Sequence, residues 1–341
     1  MSRRSRVAVL AGGRSSEHAI SLASAASVTA ALDPGRYDVH TIEVGRDGRW
    51  ALPRAADLPE LTAGPVETLP VPTDGTPATL GAFDVVLVML HGPHGEDGTV
   101  QGLLELAGIP YVGAGVLASA LCMDKDVFKR VMRDQGIPVA QHVALRLGDP
   151  VSNPFGYPIF VKPARLGSSV GISKVRSEEE LVPAVELARR HDEKVLVEEF
   201  VPGMEIEVAV LGNLEPEASL PGQVVSNLAD WYDYSSKYDE GGSTLIVPPP
   251  GLPEEQVERA QQLAVEAFVA SECEGMARAD FFVRETDGEI VLNELNTIPG
   301  FTATSFYTRL FEASGWTYAG LLDRLVELAL ERHERRSGLV F

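Results

Sequence analysis

The stretch KPARLGSSVG, residues 162–171, places a lysine at the end of an apolar run and follows it with a loop of small residues. A P-loop reads G-x-x-x-x-G-K-[ST], with the lysine after the glycines and a helix directly downstream. Here Lys162 precedes Gly167, and the loop leads into Ile-Ser-Lys-Val, which is typical of another strand. The stretch therefore predicts a phosphate site between two strands, with the lysine first, rather than a P-loop.

Composition and charge exclude several classes of protein. The chain has 341 residues, a length that favours about two domains or three small ones. Its net charge of −20 argues against binding to nucleic acid, because that binding needs clustered Lys and Arg. The same charge disfavours an anionic membrane surface. With 45% hydrophobic and 23% charged residues, the chain is expected to be an ordinary globular protein.

Cysteine usage and hydropathy favour a cytoplasmic protein. Cys122 and Cys273 are the only cysteines, and they lie far apart in apolar stretches, so neither a disulfide framework nor a thiolate metal site is predicted. The first residues, MSRRSRVAVLAGG, are basic but contain only a short apolar run. No apolar segment reaches the roughly 18 residues of a membrane span, so we expect no membrane partner.

The first third of the chain alternates strand and helix patterns. Runs at Val7–Leu10, Asp38–Val44 and Phe83–Leu90 are typical of strands, and apolar residues at helical spacing follow the first run, after possible N-caps at Ser15 and Ser16. This alternation predicts a parallel, Rossmann-like sheet. Two more helices are predicted at Thr99–Gly108 and Leu117–Gln135. The polar, Pro-rich segment Leu52–Pro77 is predicted to be irregular.

The pattern changes after residue 138, where strands follow one another closely and predict an α+β arrangement. The central strands are predicted at Val139–Leu145, Tyr157–Ala164, Ile172–Val175 and Val195–Val201, with a helix over Glu178–His191. The last section is predicted to contain a strand over 205–211, a polar loop over Asn227–Pro250, a helix over Glu254–Cys273, strands at Ala277–Val283 and Glu289–Asn296, and closing helices.

Two of these last strands carry polar residues at alternating positions. Alternation in a strand sends residues i and i+2 to the same face, so Arg278 lies beside Asp280, and Glu294 beside Asn296. If the strands pair, the four side chains converge. Carboxylate and amide oxygens suit Mg²⁺ held together with substrate phosphates. The arginine suits a developing oxyanion or a transferring phosphoryl group.

Other polar residues give weaker signals. Glu198 and Glu205 flank a turn and suit a purine amino group and a ribose hydroxyl pair. His91 and His94 lie in a Gly- and Pro-containing loop, so they lack the helical spacing of a zinc site and are more typical of ligand contact at the end of a strand. Glu17 also fits an acid that complements a helix dipole.

Taken together, the motifs resemble the ATP-grasp superfamily and, within it, the D-alanine–D-alanine ligases, over nearly the whole chain. The segments that carry the resemblance, in the family's order, are AGGRSSEHAISL, HGPHGEDGTVQG, the triplet at residues 123–125, YPIFVKPARLGSSVGISKV, VEEFVPGMEIEVAVLG, YDYSSKY, ARADFF and LNELNTIPGFT. The resemblance implies an N-terminal Rossmann-like substrate domain (1–122), a central ATP-grasp subdomain with a phosphate lid loop (123–204) and a C-terminal subdomain (205–341) that holds the metal and catalytic site and an ω-loop at about 227–250.

The resemblance implies an ATP site between the central and C-terminal subdomains. Lys125 and Lys162 would contact the phosphates, with Lys162 also near the adenine. Glu198 would bind the adenine amino group and Glu205 the ribose. The residues implied to bind ATP are Lys125, Lys162, Ser168, Glu198, Val201, Glu205, Trp231 and Lys237. The implied ligands of two Mg²⁺ or Mn²⁺ ions are Asp280, Glu294 and Asn296. K⁺ is a further candidate cofactor.

The resemblance also implies the substrate and catalytic residues. Glu17 would hold the ammonium of the first D-alanine, with His91 nearby. Ser305 and the backbone of Phe306 would bind the carboxylate of the second. The residues implied to act in catalysis are Glu17, Ser168, Tyr238, Arg278 and Gly300. Arg278 and the Gly300 N–H would form an oxyanion site, while Tyr238 of the ω-loop would hydrogen-bond to Ser168 and Glu17.

The implied activity is ATP-dependent joining of two D-alanines, through an acyl phosphate, for peptidoglycan precursors. The expected partners are small molecules and, as is common in this family, a second copy of the chain. Formation of D-alanyl-D-lactate or D-alanyl-D-serine is an alternative, against which Lys237 and Tyr238 argue. A carboxylate kinase or other ATP-grasp ligase sharing only the nucleotide site, and a non-catalytic ATP-binding regulator, are two further alternatives. Ala19, Leu166 and residues 303–308 depart from the common family pattern.

Overall fold

The computed structural model describes residues 3–51, 80–226 and 243–340. The predicted irregular segment Leu52–Pro77 and most of the predicted ω-loop lie outside the described residues. Trp231, Lys237 and Tyr238 lie outside them as well. Within the described ranges no helix is both long enough and apolar enough to cross a membrane.

The first sheet has the order β3-β2-β1-β4-β5. Its strands are β1 (Ser5–Gly12), β2 (Tyr37–Val44), β3 (Trp50–Ala51), β4 (Val85–Val88) and β5 (Tyr111–Val112). The neighbours of β1, and the pair β4 and β5, run parallel, and only β3 is antiparallel at the edge. Because both faces are covered, residues 7–11 of β1 are fully buried, which explains the unbroken apolar run. The predicted Rossmann-like sheet is confirmed.

Helix α1 (His18–Ala31) follows β1 across a tight turn. Gly12 has a φ of +89°, and a side chain there would meet the Val44 carbonyl oxygen at 2.4 Å, so only glycine fits. The expectation that Ser15 or Ser16 caps the helix is wrong, since Glu17 occupies the N-cap position. Ser15 instead accepts a hydrogen bond from the Glu17 backbone N–H and donates one to the His91 carbonyl oxygen. These contacts fix Glu17 at the carboxyl edge of the first sheet.

The predicted helix over Leu117–Gln135 is two helices, α3 (Val116–Met123) and α4 (Lys125–Asp134), which follow α2 (Thr99–Leu106). Asp124 breaks the pattern because its backbone is extended and its carboxylate accepts a hydrogen bond from the Val127 N–H at 3.2 Å. Aspartate favours this N-cap position over a helix interior. The break allows α4 to present Lys125 at its first turn.

The second sheet is antiparallel, with the order β6-β9-β7-β8. Its strands are β6 (His142–Leu145), β7 (Ile159–Pro163), β8 (Ser173–Val175) and β9 (Val195–Glu199), and α5 (Glu178–Arg189) covers one face. Each observed strand lies within its predicted range. The lysine-first loop, residues 164–172, joins two hydrogen-bonded neighbours, β7 and β8, as expected from the sequence.

The third sheet has the order β13-β12-β10-β14-β15, with β11 paired to β10. Its strands are β10 (Gly203–Gly212), β11 (Glu217–Ala218), β12 (Gly222–Ser226), β13 (Ser243–Ile246), β14 (Gly275–Arg284) and β15 (Ile290–Asn296), packed on α6 (Glu254–Ala270). The prediction that residues 227–250 form one loop is wrong at its end, because Ser243–Ile246 pairs with β12. Thr244, Leu245 and Ile246 give this segment strand propensity.

The closing helices α7 (Phe306–Ala313) and α8 (Tyr318–Ser337) share a hydrophobic core with the first sheet. Tyr37 of β2 donates a hydrogen bond to Asp323 of α8 at 2.8 Å, and Tyr318 donates one to the Phe301 carbonyl oxygen at 2.8 Å. The N-terminal sheet therefore holds the 298–305 loop in position. Cys122 and Cys273, far apart in sequence, belong to one buried cluster and are both free thiols.

Candidate active site

Strands β14 and β15 bring the four predicted polar residues together. The antiparallel register sets Arg278 opposite Asn296, and Asp280 opposite Glu294. Arg278 donates two hydrogen bonds to Asp280, from Nε at 2.7 Å and from Nη2 at 2.8 Å. The Asn296 amide donates to Asp280 Oδ2 at 3.0 Å. The predicted convergence is therefore present, as a consequence of strand alternation and register together.

The oxygen atoms of this cluster fit a magnesium ion. Asp280 and Glu294 are carboxylates on facing positions, and Asn296 adds an amide oxygen. Among the described residues no group of three His, Cys, Asp or Glu side chains could hold a metal by itself. Two acids and one amide are too few for a closed protein site, which matches the preference of Mg²⁺ for a few carboxylates completed by substrate phosphates and water.

A cavity of about 430 Å³, here called the inter-sheet cavity, lies between the second and third sheets. The second sheet contributes Phe160, Lys162 and Glu198, and the third contributes Glu205 and Phe282. The predicted ATP-binding residues that line it are Lys125, Lys162, Ser168, Glu198, Val201 and Glu205. Aromatic and aliphatic walls with a few convergent polar groups are typical of nucleotide-sized ligand sites.

Glu198 is buried, and a lysine lies at each of its carboxylate oxygens. Lys162 Nζ is 2.7 Å from Oε1, and Lys129 Nζ is 2.8 Å from Oε2. Burial alone would raise the pKa of Glu198, but the charges of Lys129 and Lys162 lower it to about 2. Glu198 is therefore an ionised carboxylate that only accepts hydrogen bonds.

Lys125, at the first turn of α4, spans the base of the lysine-first loop. Its ammonium donates to the Leu166 carbonyl oxygen at 3.0 Å and lies 3.2 Å from Glu294 Oε2. The Leu166 departure from the family pattern is thereby explained in part, since the backbone of any residue could accept this bond. Lys125 links the loop to Glu294 of β15.

The loop itself contacts the first domain. Ser168 and Ser169 have φ values of 54° and 57°, the left-handed region that non-glycine residues rarely adopt. This backbone turns the Ser168 hydroxyl toward α1, where it donates a hydrogen bond to Glu17 Oε1. The predicted link between Ser168 and Glu17 runs through Tyr238, which lies outside the described residues, and the direct contact between Ser168 and Glu17 was not predicted.

A second cavity of about 370 Å³, here called the loop cavity, lies beside the first. It is lined by every described residue predicted to bind amino-acid substrate or to act in catalysis: Glu17, His91, Ser168, Arg278, Gly300, Ser305 and Phe306. Gly167, Ser168 and Glu294 line both cavities. The two cavities therefore meet at the lysine-first loop and at Glu294 of β15.

His91 is a buried link between the first sheet and the 298–305 loop. Its Nδ1 contacts the Ile298 carbonyl oxygen at 2.9 Å and its Nε2 contacts the Ser24 hydroxyl at 3.3 Å. Burial lowers the pKa of His91, although Glu17 and the Ile298 carbonyl oppose the shift. A neutral ring that donates through Nδ1 and accepts through Nε2 fits both contacts. Both ring nitrogens of His91 are therefore used in contacts within the fold.

Residues 302–306 lead into the N-terminus of α7 at the wall of the loop cavity. The Ser305 hydroxyl lies 3.0 Å from the Thr302 backbone nitrogen, which donates to it, and 2.8 Å from the Thr302 hydroxyl. Ser305 is the N-cap residue of α7, so the backbone N–H groups of Phe306 and the next residue begin the helix at the cavity wall. A helix N-terminus favours carboxylates because its first N–H groups have no partner inside the helix.

Comparison with known proteins agrees with this geometry. Residues 6–114 match the family model for the D-ala D-ala ligase N-terminus, and residues 131–327 match that for the C-terminus. A D-alanine–D-alanine ligase of Thermoanaerobacter sp. (strain X514) is 44% identical, over 97% of this chain and 98% of its own. The chain belongs to the D-alanine–D-alanine ligase family. The predicted family and ATP-grasp fold are confirmed.

Two solved structures place this ligase among its relatives. The VanG D-Ala:D-Ser ligase from Enterococcus faecalis is 34% identical, with a TM-score of 0.81 over 96% of this chain and 100% of that one. The D-alanine–D-alanine ligase from Bacillus anthracis, complexed with ATP, is 28% identical, with a TM-score of 0.78 over 97% of this chain and 99% of that one. The overall fold is thus shared by relatives whose names give different second substrates.

Three charged residues of this ligase were missed by the sequence reasoning. Glu207 of β10 lies opposite Asp280 and 3.1 Å from Arg278 Nε, and alternation with Glu205 was the available signal. Lys129 lies one helical turn after Lys125, at a spacing that places both on one face of α4. Glu96 lines the loop cavity, and its pKa is raised to about 8 by burial and by Glu17.

Proposed function

We propose that this ligase joins two D-alanines into D-alanyl-D-alanine with consumption of ATP, for peptidoglycan precursor synthesis. The observation that carries the proposal is the meeting of the two cavities at Gly167, Ser168 and Glu294. A nucleotide in the inter-sheet cavity would direct its terminal phosphate toward a small amino acid in the loop cavity. Transfer between two bound substrates needs this adjacency.

The proposed position of ATP is taken from the family resemblance, and the charges of the inter-sheet cavity support it. Glu198 would accept a hydrogen bond from the adenine amino group, with the backbone of Val201 beside the base and Glu205 at the ribose. Lys125 and Lys162 would then lie along the phosphates. Trp231 and Lys237 lie outside the described residues, and we propose on the basis of the family resemblance that they also contact ATP.

Asp280, Glu294 and Asn296 are proposed to hold two Mg²⁺ or Mn²⁺ ions, and K⁺ is kept as a further proposed cofactor. Metal bound there would neutralise phosphate charge during transfer. Arg278 and Asn296 now donate to Asp280, while Lys125 lies beside Glu294, so the ligand carboxylates are already oriented by the fold. Such outer contacts fix the direction of metal ligands.

The reaction is proposed to proceed in two displacements. The carboxylate of the first D-alanine, whose ammonium is held by Glu17, attacks the γ-phosphorus. The bond between that phosphorus and ADP breaks, so ADP leaves and D-alanyl phosphate is formed. The amine of the second D-alanine attacks the acyl carbon, and phosphate leaves. Arg278 has five N–H donors, of which Asp280 accepts two, so other donors can bind the tetrahedral oxyanion together with the Gly300 N–H.

Ser305 and Phe306 are proposed to bind the carboxylate of the second D-alanine at the N-terminus of α7. Water must be excluded, because an acyl phosphate hydrolyses. The contact of Ser168 with Glu17 closes one side of the loop cavity. We propose that Tyr238 joins this contact from the ω-loop.

We also propose a division of the chain into three parts. The division into substrate domain (1–122), central subdomain (123–204) and C-terminal subdomain (205–341) is supported by the three sheets. In the described residues, the first two sheets lie within the first two ranges, and the third lies within 205–341 except for the first two residues of β10, which begins at Gly203. We also propose that the protein is cytoplasmic and forms a homodimer, as the family resemblance and the composition suggest.

Product analysis separates ligation of D-alanine from its alternatives. The protein is incubated with ATP, Mg²⁺ and D-alanine, with D-lactate or D-serine as competitor, and the products are identified by mass spectrometry. We expect D-alanyl-D-alanine to dominate and phosphate release to require D-alanine. An ester product at neutral pH, or a D-seryl product in excess, would replace the proposed second substrate. ATP binding without D-alanine-dependent phosphate release would indicate a regulator.

Replacing Ser168 by alanine tests the contact between loop and substrate domain. A hydrogen bond to a charged group contributes about 1.5–3 kcal/mol, so we expect the KM for D-alanine to rise about tenfold or more. Steady-state kinetics with saturating ATP measure the change. Ser169→Ala is the matched control, because Ser169 has the same left-handed backbone but does not line the loop cavity. Equal KM values for the two variants would contradict the proposed role of Ser168.

A further inference from the structure

We propose that Lys129 is a positioning residue for recognition of the adenine base, and that it acts through Glu198. The inference rests on the proposed function, because it assumes that the inter-sheet cavity takes ATP with its base at Glu198. It adds a residue that neither touches the nucleotide nor forms part of any motif identified in the sequence.

The first observation is how completely Lys129 is buried. Its relative exposure is 0%, and its ammonium lies 2.8 Å from Glu198 Oε2. Lys125, one helical turn earlier, reaches the loop and Glu294. Helix α4 therefore points two lysines toward the same cavity region, one at the proposed phosphate end and one at the proposed base end.

The second observation is that Lys129 lies behind Glu198. Glu198 and Lys162 line the inter-sheet cavity, whereas Lys129 does not. The carboxylate thus separates Lys129 from the space that the nucleotide would fill. Any effect of Lys129 on a bound base must pass through the position or the charge of Glu198.

Stability alone does not account for this lysine. Burial lowers the pKa of Lys129 to about 8, with Glu198 opposing the shift, so the protein holds the ammonium against a desolvation cost. The contact is an ion pair rather than a well-aligned hydrogen bond, and neither Lys129 Nζ nor Glu198 Oε2 has another hydrogen-bond partner among the described residues. Apolar side chains at both Lys129 and Glu198 would avoid that cost.

The chemistry of the base gives the pair a use. An ionised carboxylate has about four acceptor positions and no donor, so it attracts a 6-amino purine and repels the oxygen of a 6-oxo purine. With Lys162 as its only partner, Glu198 would neutralise a lysine that the phosphates also need. Lys129 supplies the second positive charge, which keeps Glu198 ionised and held from both sides while leaving net positive charge for the nucleotide.

The test measures discrimination between two bases. Dissociation constants of ADP and IDP are determined by titration calorimetry with Mg²⁺ and without D-alanine, for the wild type and for Lys129→Met. The wild type is expected to prefer ADP. Removal of the Lys129 charge would weaken the charged hydrogen bond from the 6-amino group to Glu198, a change of about tenfold. Lys129→Met should therefore bind ADP about tenfold more weakly and IDP within about twofold of wild type.

Two further variants serve as controls. Lys194→Met is the matched control, because Lys194 is also a buried lysine, paired with Asp124 at 2.6 Å and with Asp126 at 3.2 Å, and it does not line the inter-sheet cavity. It should keep the wild-type ADP/IDP ratio. Glu198→Gln should lose the preference, because its amide can also donate to a 6-oxo group. Thermal unfolding checks each variant, and Lys129→Gln carries the same expectation if Lys129→Met does not fold.

The outcomes separate this inference from the proposed function. A wild-type ADP/IDP ratio in folded Lys129→Met or Lys129→Gln overturns the role of Lys129 and leaves only a structural one. A wild-type ratio in Glu198→Gln shows that the base is not read at Glu198, and the proposed ATP placement fails with the inference. Expected ratios in a protein that makes no D-alanyl-D-alanine would refute the ligation and keep Lys129.

Discussion

Arg278→Ala is expected to lower kcat about a hundredfold or more, the scale found when an oxyanion donor is removed. The KM values for ATP and D-alanine should change less, because the oxyanion exists only in the transition state. Steady-state phosphate release measures both parameters. Arg278→Lys should remain slow, since lysine restores the charge but not the fork of donors that binds Asp280.

Folding must be measured alongside this loss of activity. Arg278 lies against the buried acids Asp280 and Glu207, so its removal takes away a positive charge shared by both and is expected to cost about 3–5 kcal/mol of stability. Arg284→Ala on the same strand is the matched control, because Arg284 pairs only with the exposed Asp287 and Glu289 in the contacts of the described residues. A folded Arg278→Ala enzyme with nearly normal kcat would contradict the oxyanion role.

Lys162→Met is expected to lower kcat/KM for ATP about a thousandfold. The substitution removes a cation from the proposed phosphate site, and it also removes the lysine that pairs with Glu198 on the cavity side. Single cations at transferring phosphoryl groups contribute on this scale. The loss should appear in both ADP affinity and kcat, measured by calorimetry and by single-turnover phosphate release. Arg278→Ala, in contrast, should keep ADP affinity.

Lys174→Met provides the control for Lys162. Lys174 lies opposite Phe160 in the same sheet and lines the same cavity, but its ammonium packs over the Phe200 ring at 4.1 Å. Such a contact contributes about 0.5–1 kcal/mol, so the control should lose no more than about fivefold. Equal losses of kcat/KM in the two variants would mean that Lys162 only adds to the positive charge of the cavity and does not contact the phosphates.

The contacts of the described residues also show where sequence reasoning fails. The single helix predicted over Leu117–Gln135 had unbroken helical spacing, yet Asp124 ends one helix and caps the next because its carboxylate competes for backbone N–H groups. The strand Ser243–Ile246 was assigned to a loop because polar residues precede it. Its pairing with β12 is a long-range contact that no local pattern encodes.

The sequence by itself determined the family and the ATP-grasp fold, and it named the described residues predicted to bind ATP or amino-acid substrate, which line the two cavities. It could do so because strand alternation and loop glycines are local constraints, and because Lys162, Asp280 and Glu294 stand in motifs of fixed order. Only the tertiary structure decided that Lys129 and Lys162 hold Glu198 between them, and that Ser168 reaches Glu17. These contacts join elements far apart in the chain. Their electrostatic interactions are strong only because the groups are buried together, and burial of this kind cannot be predicted from a local stretch of sequence.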